Sequence, residues 1–380
     1  MKILIFANDY HLVSGGDVIF AEMAKKWIQW GHEVEIVTNE KGADYCLSKG
    51  ITINNLSTWP SSSPDNFGSF IAEPIKSILS AFRESHTQRS DVDVIFASSF
   101  FWPDLFAGII AKRKVPRAKL VVGAYLLFPK PLSRKRYSGG FWRASALYLS
   151  QILSLKLISR FVDIVLTASE HDRPHFFNYK QLSASSVVAI RGGVEIDNID
   201  RVRKQKKIYD ALYFGRFHSQ KGLFDLLDVW EKVLSSRPGS KLLLAGGGPL
   251  EDSLREKATR MGIVSSITFS GIVSGKAKYK LLKSAKLFVS ASRFDTGNIA
   301  LDEVLACGVP GIVYDLPHLN YLDGVVKIPV GHKIQMENEI IRLLRNQKER
   351  LRLGRAGRKF IKTFDWKIGA EKVLKLIQTT

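Results

Sequence analysis

Asp295 and Glu303 are two carboxylates eight residues apart, one ahead of an apolar helical stretch and the other about two turns into it. That spacing is compatible with one beside a sugar and the other beside a ribose, and the backbone amides of Gly297, Asn298 and Ile299 would face an anion at the helix N-terminus. Upstream, Gly215-Arg216 follows a short apolar run, and Lys221-Gly222 precedes the next amphipathic stretch. Two cations at the carboxyl end of a strand suit a pyrophosphate, with Arg as a fork and Lys as a point charge. Gly246-Gly247-Gly248-Pro249 permits a tight strand-to-helix turn and reads mainly as architecture. Near the start, Val13-Ser14-Gly15-Gly16-Asp17 leads into a helical pattern, and its paired glycines let amides approach a phosphate. The spacing is not Gly-x-Gly-x-x-Gly, which disfavours a dinucleotide site. A flexible connecting loop would look the same.

These residues need a scaffold, and the chain supplies short apolar runs alternating with longer amphipathic stretches. That alternation predicts parallel sheets with crossover helices. In the first half, strands are expected at Lys2–Ala7, Glu33–Thr38, Val92–Ala97, Leu120–Gly123, Ile164–Ala168 and Val187–Ile190, with a helix over Val18–Trp30 ending at Gly31. The polar stretch Arg201–Lys207 breaks the pattern. It restarts with strands at Ala211–Phe214, Lys241–Ala245, Ser266–Phe269, Leu287–Val289 and Gly311–Tyr314, and helices at Leu223–Ser235, Leu250–Met261 and Ala300–Cys307. The organisation expected is a Rossmann-like domain over 1–203, a second over 204–362 and a terminal helix over 363–380. Ligands in such sheets bind at the carboxyl ends of strands, where the candidate residues fall.

Hydrophobic residues at 45% and charged residues at 24% fit a globular chain and exclude a disordered one. Cys46 and Cys307 are the two cysteines, far apart and without metal-ligand spacing, which points to a reducing compartment. The apolar start stops at Asn8-Asp9 and reads as a buried strand rather than a secretory segment. No run reaches the roughly 18 apolar residues that a membrane span requires. Asp91-Val92-Asp93 resembles a metal-binding pair but precedes its strand, at the end away from the expected site. His171, His175 and His218 lack ligand spacing, so no metal is expected.

In chain order, Gly15-Gly16, Gly31-His32-Glu33-Val34, Gly193-Val194-Glu195, Gly215-Arg216…Lys221-Gly222, Gly246–Pro249 and Asp295…Glu303…Cys307-Gly308-Val309-Pro310 resemble the retaining glycosyltransferases of family 4. The resemblance covers nearly the whole chain and is stronger in its second half. It implies the α/β GT-B fold, two doubly wound Rossmann-like domains facing across a cleft with the terminal helix 363–380 crossing back to the first, and an enzyme without cofactor or metal. It also implies roles. Arg216 and Lys221 neutralise the donor pyrophosphate, Glu303 binds the ribose hydroxyls and Asp295 contacts the transferred sugar. Gly215 and the Gly15-Gly16 amides join the donor contacts. The chain departs from the family at Asp295, where glutamate is usual, at Thr296 and Asn298, where glycine is usual, and at Tyr125, where many relatives carry histidine. An asparagine still reaches the left-handed conformation if the loop needs it.

The net charge of +20 implies an anionic partner. Between Asp104 and Asp163 there is no acidic residue, and Arg134, Lys135, Arg136 and Arg143 are interleaved there with Tyr137, Phe141 and Trp142. Basic heads beside aromatic and aliphatic neighbours suit an anionic bilayer surface. The expectation is a cytoplasmic protein attached peripherally to the membrane, acting on a glycan or lipid-linked acceptor. A solvated loop followed by a core-facing helix would give a similar pattern. Other readings are an epimerase or hydrolase of the same fold, and a non-catalytic nucleotide-sugar-binding subunit. A nucleic-acid partner is not expected, because no recognition module is present.

Overall fold

The computed structural model describes residues 1–8, 15–59, 79, 91–131, 140–177, 185–190, 192–295, 298–317, 319 and 323–379. The chain divides into two compact units, Met1–Gly192 together with Trp366–Thr380, and Gly193–Asp365. Among the described residues the first unit holds a parallel sheet of β1 (Lys2–Ala7), β2 (Glu33–Asn39), β3 (Leu56–Trp59), β4 (Val94–Ala97), β5 (Lys119–Ala124), β6 (Ile164–Thr167) and β7 (Val187–Ala189). Its strand order is β3-β2-β1-β4-β5-β6-β7. The second unit holds β8 (Tyr209–Phe214), β9 (Leu242–Ala245), β10 (Ile267–Gly271), β11 (Ala285–Ser290), β12 (Gly311–Tyr314) and β13 (Val325–Ile328). These strands are also parallel, in the order β10-β9-β8-β11-β12-β13. Both units are doubly wound, as the alternation of apolar runs and amphipathic stretches predicts.

Strands buried on both faces read as largely apolar runs, and the central strands β1, β4, β8 and β11 do so, with charged residues Lys2, Asp210 and Lys286 confined to their starts. In β8, Ala211 and Tyr213 face a core shared with Leu227 and Trp230 of the helix Leu223–Ser236. Leu212, between them, faces the opposite core with Leu301, Val304 and Leu305 of the helix Ile299–Ala306. In the first unit, Leu4, Ile95, Leu120 and Val165 share a core with Leu155 and Ile158 of the helix Gly140–Phe161. The helix Trp366–Thr379 lies on the helix Gly15–Gln29. There Trp27 donates its indole N–H to the Ala370 carbonyl at 3.3 Å, and Trp366, Ala370, Val373 and Ile377 are buried.

Each sheet reverses its strand order once, between β1 and β4 and between β8 and β11. Helices leaving neighbouring strands on opposite sides open a crevice at such a point, where ligands of doubly wound sheets bind. The start of the first helix departs from expectation. Gly15 and Gly16 form its first turn rather than a preceding loop, with Asp17 placed to favour the positive end of the helix.

Candidate functional site

The residues at the β8–β11 reversal come together through backbone first. After β8 the chain turns at Gly215, whose N–H donates to the Ala245 carbonyl at 3.0 Å, and runs through a short 3-10 turn, Ser219–Lys221. Tyr213 donates its hydroxyl to the Arg216 carbonyl at 3.0 Å. Burial pushes the Tyr213 pKa up, so the hydroxyl stays a neutral donor. From the β11 side, the Arg293 N–H donates to the Gln220 carbonyl at 2.9 Å. The Arg293 guanidinium and the Lys333 ammonium both pair with Asp225, at 2.6 and 3.0 Å, bracing the stretch that leads to Asp295.

On this frame Lys221 Nζ lies 2.6 Å from Asp295 Oδ2, with the two side chains 14% and 12% exposed. Residues 74 apart in sequence thus form one ion pair at the point where the sheet changes direction. Partial burial strengthens the pair relative to a surface one, because less water screens it. Arg216 is exposed and has no ion pair among the described residues, so its guanidinium is open to an anion. The site therefore offers one free fork and one ammonium already steadied by a carboxylate.

Asn298 explains how a non-glycine residue fits the turn after Asp295. It has φ 35° and ψ 56°, in the left-handed region, and is the one non-glycine residue with positive φ among the described residues. Its side chain accepts a hydrogen bond from the Leu301 N–H at 3.1 Å, capping the helix. Its own N–H points to Asp295 Oδ1 at 3.4 Å, toward the chain's carboxylate. Ile299 is the first helical residue. Thr296 and Gly297 lie outside the described residues.

Glu303, further along that helix, accepts a hydrogen bond from Lys278 Nζ at 2.5 Å. Sequence reasoning passes over Lys278, which sits 25 residues upstream on another helix, Gly275–Lys283, with no local pattern to mark it. The Gly246–Pro249 turn is largely architecture: a Cβ on Gly246 would lie 1.9 Å from the Gly215 carbonyl oxygen, so the two strand ends touch through backbone.

In the first unit, a buried polar cluster fills the carboxyl ends of β1 and β4. Asp104, 1% exposed, accepts from the Asn8 N–H at 2.5 Å and from the Ser98 and Ser99 hydroxyls at 3.1 and 2.6 Å. Asn8 Oδ1 in turn accepts from the Trp59 indole at 2.9 Å. Burial pushes the Asp104 carboxyl up to about 7, against those hydrogen bonds, and Asp17 adds to the rise. Sequence reasoning used Asp104 only to mark the edge of the acid-free stretch. Tyr125, after β5, is buried, and its hydroxyl has no hydrogen-bond partner among the described residues.

The remaining sequence candidates fall elsewhere. Asp93 accepts from the Lys2 N–H at 2.8 Å and Asp91 pairs with the Lys2 ammonium, so both tie strand starts together. Arg134, Lys135 and Arg136 lie outside the described residues, as does the Trp142 side chain. No group of three or more His, Cys, Asp or Glu placed to hold a metal occurs among the described residues. No described helix is long and apolar enough to cross a membrane.

Comparison with known proteins agrees with this architecture. Residues 195–360 match the family described as glycosyl transferases group 1, and residues 13–198 match glycosyltransferase family 4. The chain belongs to glycosyltransferase family 4 and has the GT-B fold. It is 28% identical over 205 residues to a phosphatidyl-myo-inositol mannosyltransferase from Mycobacterium leprae, covering 51% of this chain and 54% of that one. It is 29% identical over 173 residues to an alpha-monoglucosyldiacylglycerol synthase from Streptococcus pneumoniae, covering 42% of this chain and 39% of the relative. The match thus spans about half, or less, of the length of these curated relatives. Among solved structures, Anabaena HepE in complex with UDP and glucose superposes over 100% of both chains with a TM-score of 0.74, at 16% identity.

Proposed function

We propose that this chain is a retaining, metal-independent glycosyltransferase that moves a sugar from a nucleotide-diphosphate donor to a glycolipid or lipid-linked glycan. The observation that carries the donor half is the Lys221–Asp295 ion pair at the β8–β11 reversal. Arg216 and Lys221 stabilise the diphosphate as it leaves, acting as fixed cations in the place of a metal. Asp295 holds Lys221 through one oxygen and contacts the transferred sugar, and Glu303 binds the ribose. The Gly15 and Gly16 amides, in the first turn of their helix, approach the phosphates. Family membership supports this assignment of roles.

The acceptor half rests on other support. Both curated relatives carry a lipid in their names. The helix Gly140–Phe161 exposes Phe141, Leu149 and Leu153, and Lys156 and Arg160 lie exposed further along it. An apolar stripe continued by cations suits an anionic bilayer, and this supports a protein that sits peripherally on the cytoplasmic face of a membrane.

A thermal-shift panel of UDP-, GDP- and ADP-sugars tests the donor reading. A bound donor at a hundred times its Kd stabilises the fold by about 2.7 kcal/mol. No shift with any member would remove the reading. With the active donor, Asp295→Ala is expected to slow transfer about a hundredfold or more; unchanged turnover would instead mark a binding subunit. NMR of the first-formed product reads the anomeric outcome.

A further inference from the structure

The helix Gln347–Ile361 is seated on the second unit through glycine. A Cβ on Gly354 would lie 2.3 Å from the Gly308 carbonyl oxygen, and one on Gly357 would lie 2.8 Å from a Leu305 methyl carbon. Leu353, Gly354, Gly357 and Ile361 are buried. With that face held close against its neighbours, the opposite face points to water, and there the residues are cations. Lys348, Arg352, Arg355, Lys359 and Lys362 recur at alternating intervals of four and three, which sets them in one row, and all five are exposed. At 1.5 Å per residue the row is about 21 Å long.

Between Glu349 and Asp365 the chain holds six cations and no acidic residue. Glu349 pairs with Arg352 at 2.8 Å, and Asp200 pairs with Arg358 on the flank of the row. Lys348, Arg355, Lys359 and Lys362 have no ion pair among the described residues. The Arg358–Asp200 pair also ties the helix to residues 201–207, five of which are exposed Lys or Arg. Like charges three and four residues apart repel along a helix, and a surface of opposite sign relieves that repulsion.

The row runs straight along an outward face, so its charges do not converge on a single phosphate. A plane of many phosphates matches it. Leu351, one turn from both Lys348 and Arg355, is half-exposed beside the row and suits the boundary of a bilayer better than a purely polar polyanion. We propose that the outward face of the helix Gln347–Ile361 is a docking surface for an anionic bilayer, giving the second unit a membrane contact of its own. The inference rests on the reading of the protein as membrane-associated, and adds to it residues other than those of the helix Gly140–Phe161. The contact is electrostatic: the apolar side of the helix stays in the core, and the charges act within about 10 Å of the surface at 0.1 M salt.

The test is co-sedimentation of the full chain with vesicles of equimolar phosphatidylcholine and phosphatidylglycerol, and with vesicles of phosphatidylcholine alone. Each cation near an anionic surface contributes about fivefold to binding. The triple variant Arg355→Gln, Lys359→Gln, Lys362→Gln is expected to bind the anionic vesicles about twentyfold or more weakly than the native protein, and the double variant that keeps Lys362 to fall between them. A control triple variant, Lys232→Gln, Lys241→Gln, Arg260→Gln, removes the same charge from other exposed positions and is expected to stay within about threefold of native. The differences should vanish at about 1 M salt, where the screening length is about 3 Å. All the replaced residues are exposed, so unchanged thermal midpoints are expected, and the double variant carries the comparison if the triple one does not fold. Native binding to the anionic vesicles that the row variants leave unchanged overturns the inference and leaves the first unit as the membrane contact. A loss as large in the control overturns it too, since net charge alone would then account for binding. Unchanged vesicle binding with lost binding to a duplex oligonucleotide assigns the row to nucleic acid and overturns it. If the native protein binds neither kind of vesicle at low salt, the membrane reading itself fails and the inference with it.

Discussion

The carbonyl oxygen of Ala291 fills the space where Gly222 would carry a side chain: an added Cβ would lie 1.9 Å from it. Gly222 has φ 65°, ends the turn that carries Lys221 and caps the helix that follows. This backbone contact clamps the loop after β8 to the loop after β11, so that Lys221 reaches Asp295. Gly222→Ala adds a left-handed penalty and a clash with main chain, which together are expected to destabilise by about 2–4 kcal/mol. Urea denaturation measures the loss. A cost under about 1 kcal/mol would show that the clamp yields easily.

Asn298 supplies a second, graded test. Asn298→Gly removes the cap but relaxes the left-handed backbone, and should change stability by only a few tenths of a kcal/mol. Asn298→Ala loses the cap and keeps the strained φ, at about 2 kcal/mol. Equal effects of the two substitutions, measured by thermal denaturation, would show that φ is not what selects asparagine here.

Much of this was legible from residue patterns. The runs at Lys2–Ala7 and Gly311–Tyr314 are strands with the predicted limits, because central strands buried on both faces leave unbroken apolar runs. Leu56–Trp59 and Val325–Ile328 were not legible. They are edge strands, β3 and β13, mostly half-exposed, and neither shows a continuous apolar run. The same contrast holds at the site. Asp295 and Glu303 share one short segment and announce themselves by spacing. Lys278 and Asp104 matter through partners brought by other elements, and no local spacing records those partners.

Asp104 makes stability depend on pH. Its folded pKa, raised by burial to about 7 from an ordinary 3.8, exceeds that of the unfolded chain. The folded state therefore holds a proton that the unfolded state releases. Its stabilising contribution is complete below the unfolded pKa and is lost as pH rises through the folded one. Between the two, stability should fall by about 1.4 kcal/mol per pH unit from this group. Asp104→Asn should remove that slope. Denaturation midpoints of both proteins across the window check it; parallel curves would show that Asp104 does not carry the effect.

The proposed membrane surface has two separable components. Replacing Arg134, Lys135 and Arg136 by alanine should weaken binding to anionic vesicles by about 1 kcal/mol for each charge near the surface, with the loss shrinking at high salt. Replacing Leu149 and Leu153 by serine should weaken binding in a salt-independent way, since both are exposed rather than core residues. Vesicle flotation reads both sets. Native protein that fails to float with anionic vesicles at low salt would remove the membrane assignment.

The helix Trp366–Thr379 belongs to the unit that Met1 begins, and the hydrogen bond from Trp27 to Ala370 joins residues 343 apart in sequence. The intervening unit, by contrast, is one unbroken stretch of chain, Gly193–Asp365. Synthesis proceeds from the amino end and domains generally fold as units. The second unit therefore has all its residues before the first has its closing helix. The second unit can mature on the ribosome while the earlier-made one still shows water the face around Trp27.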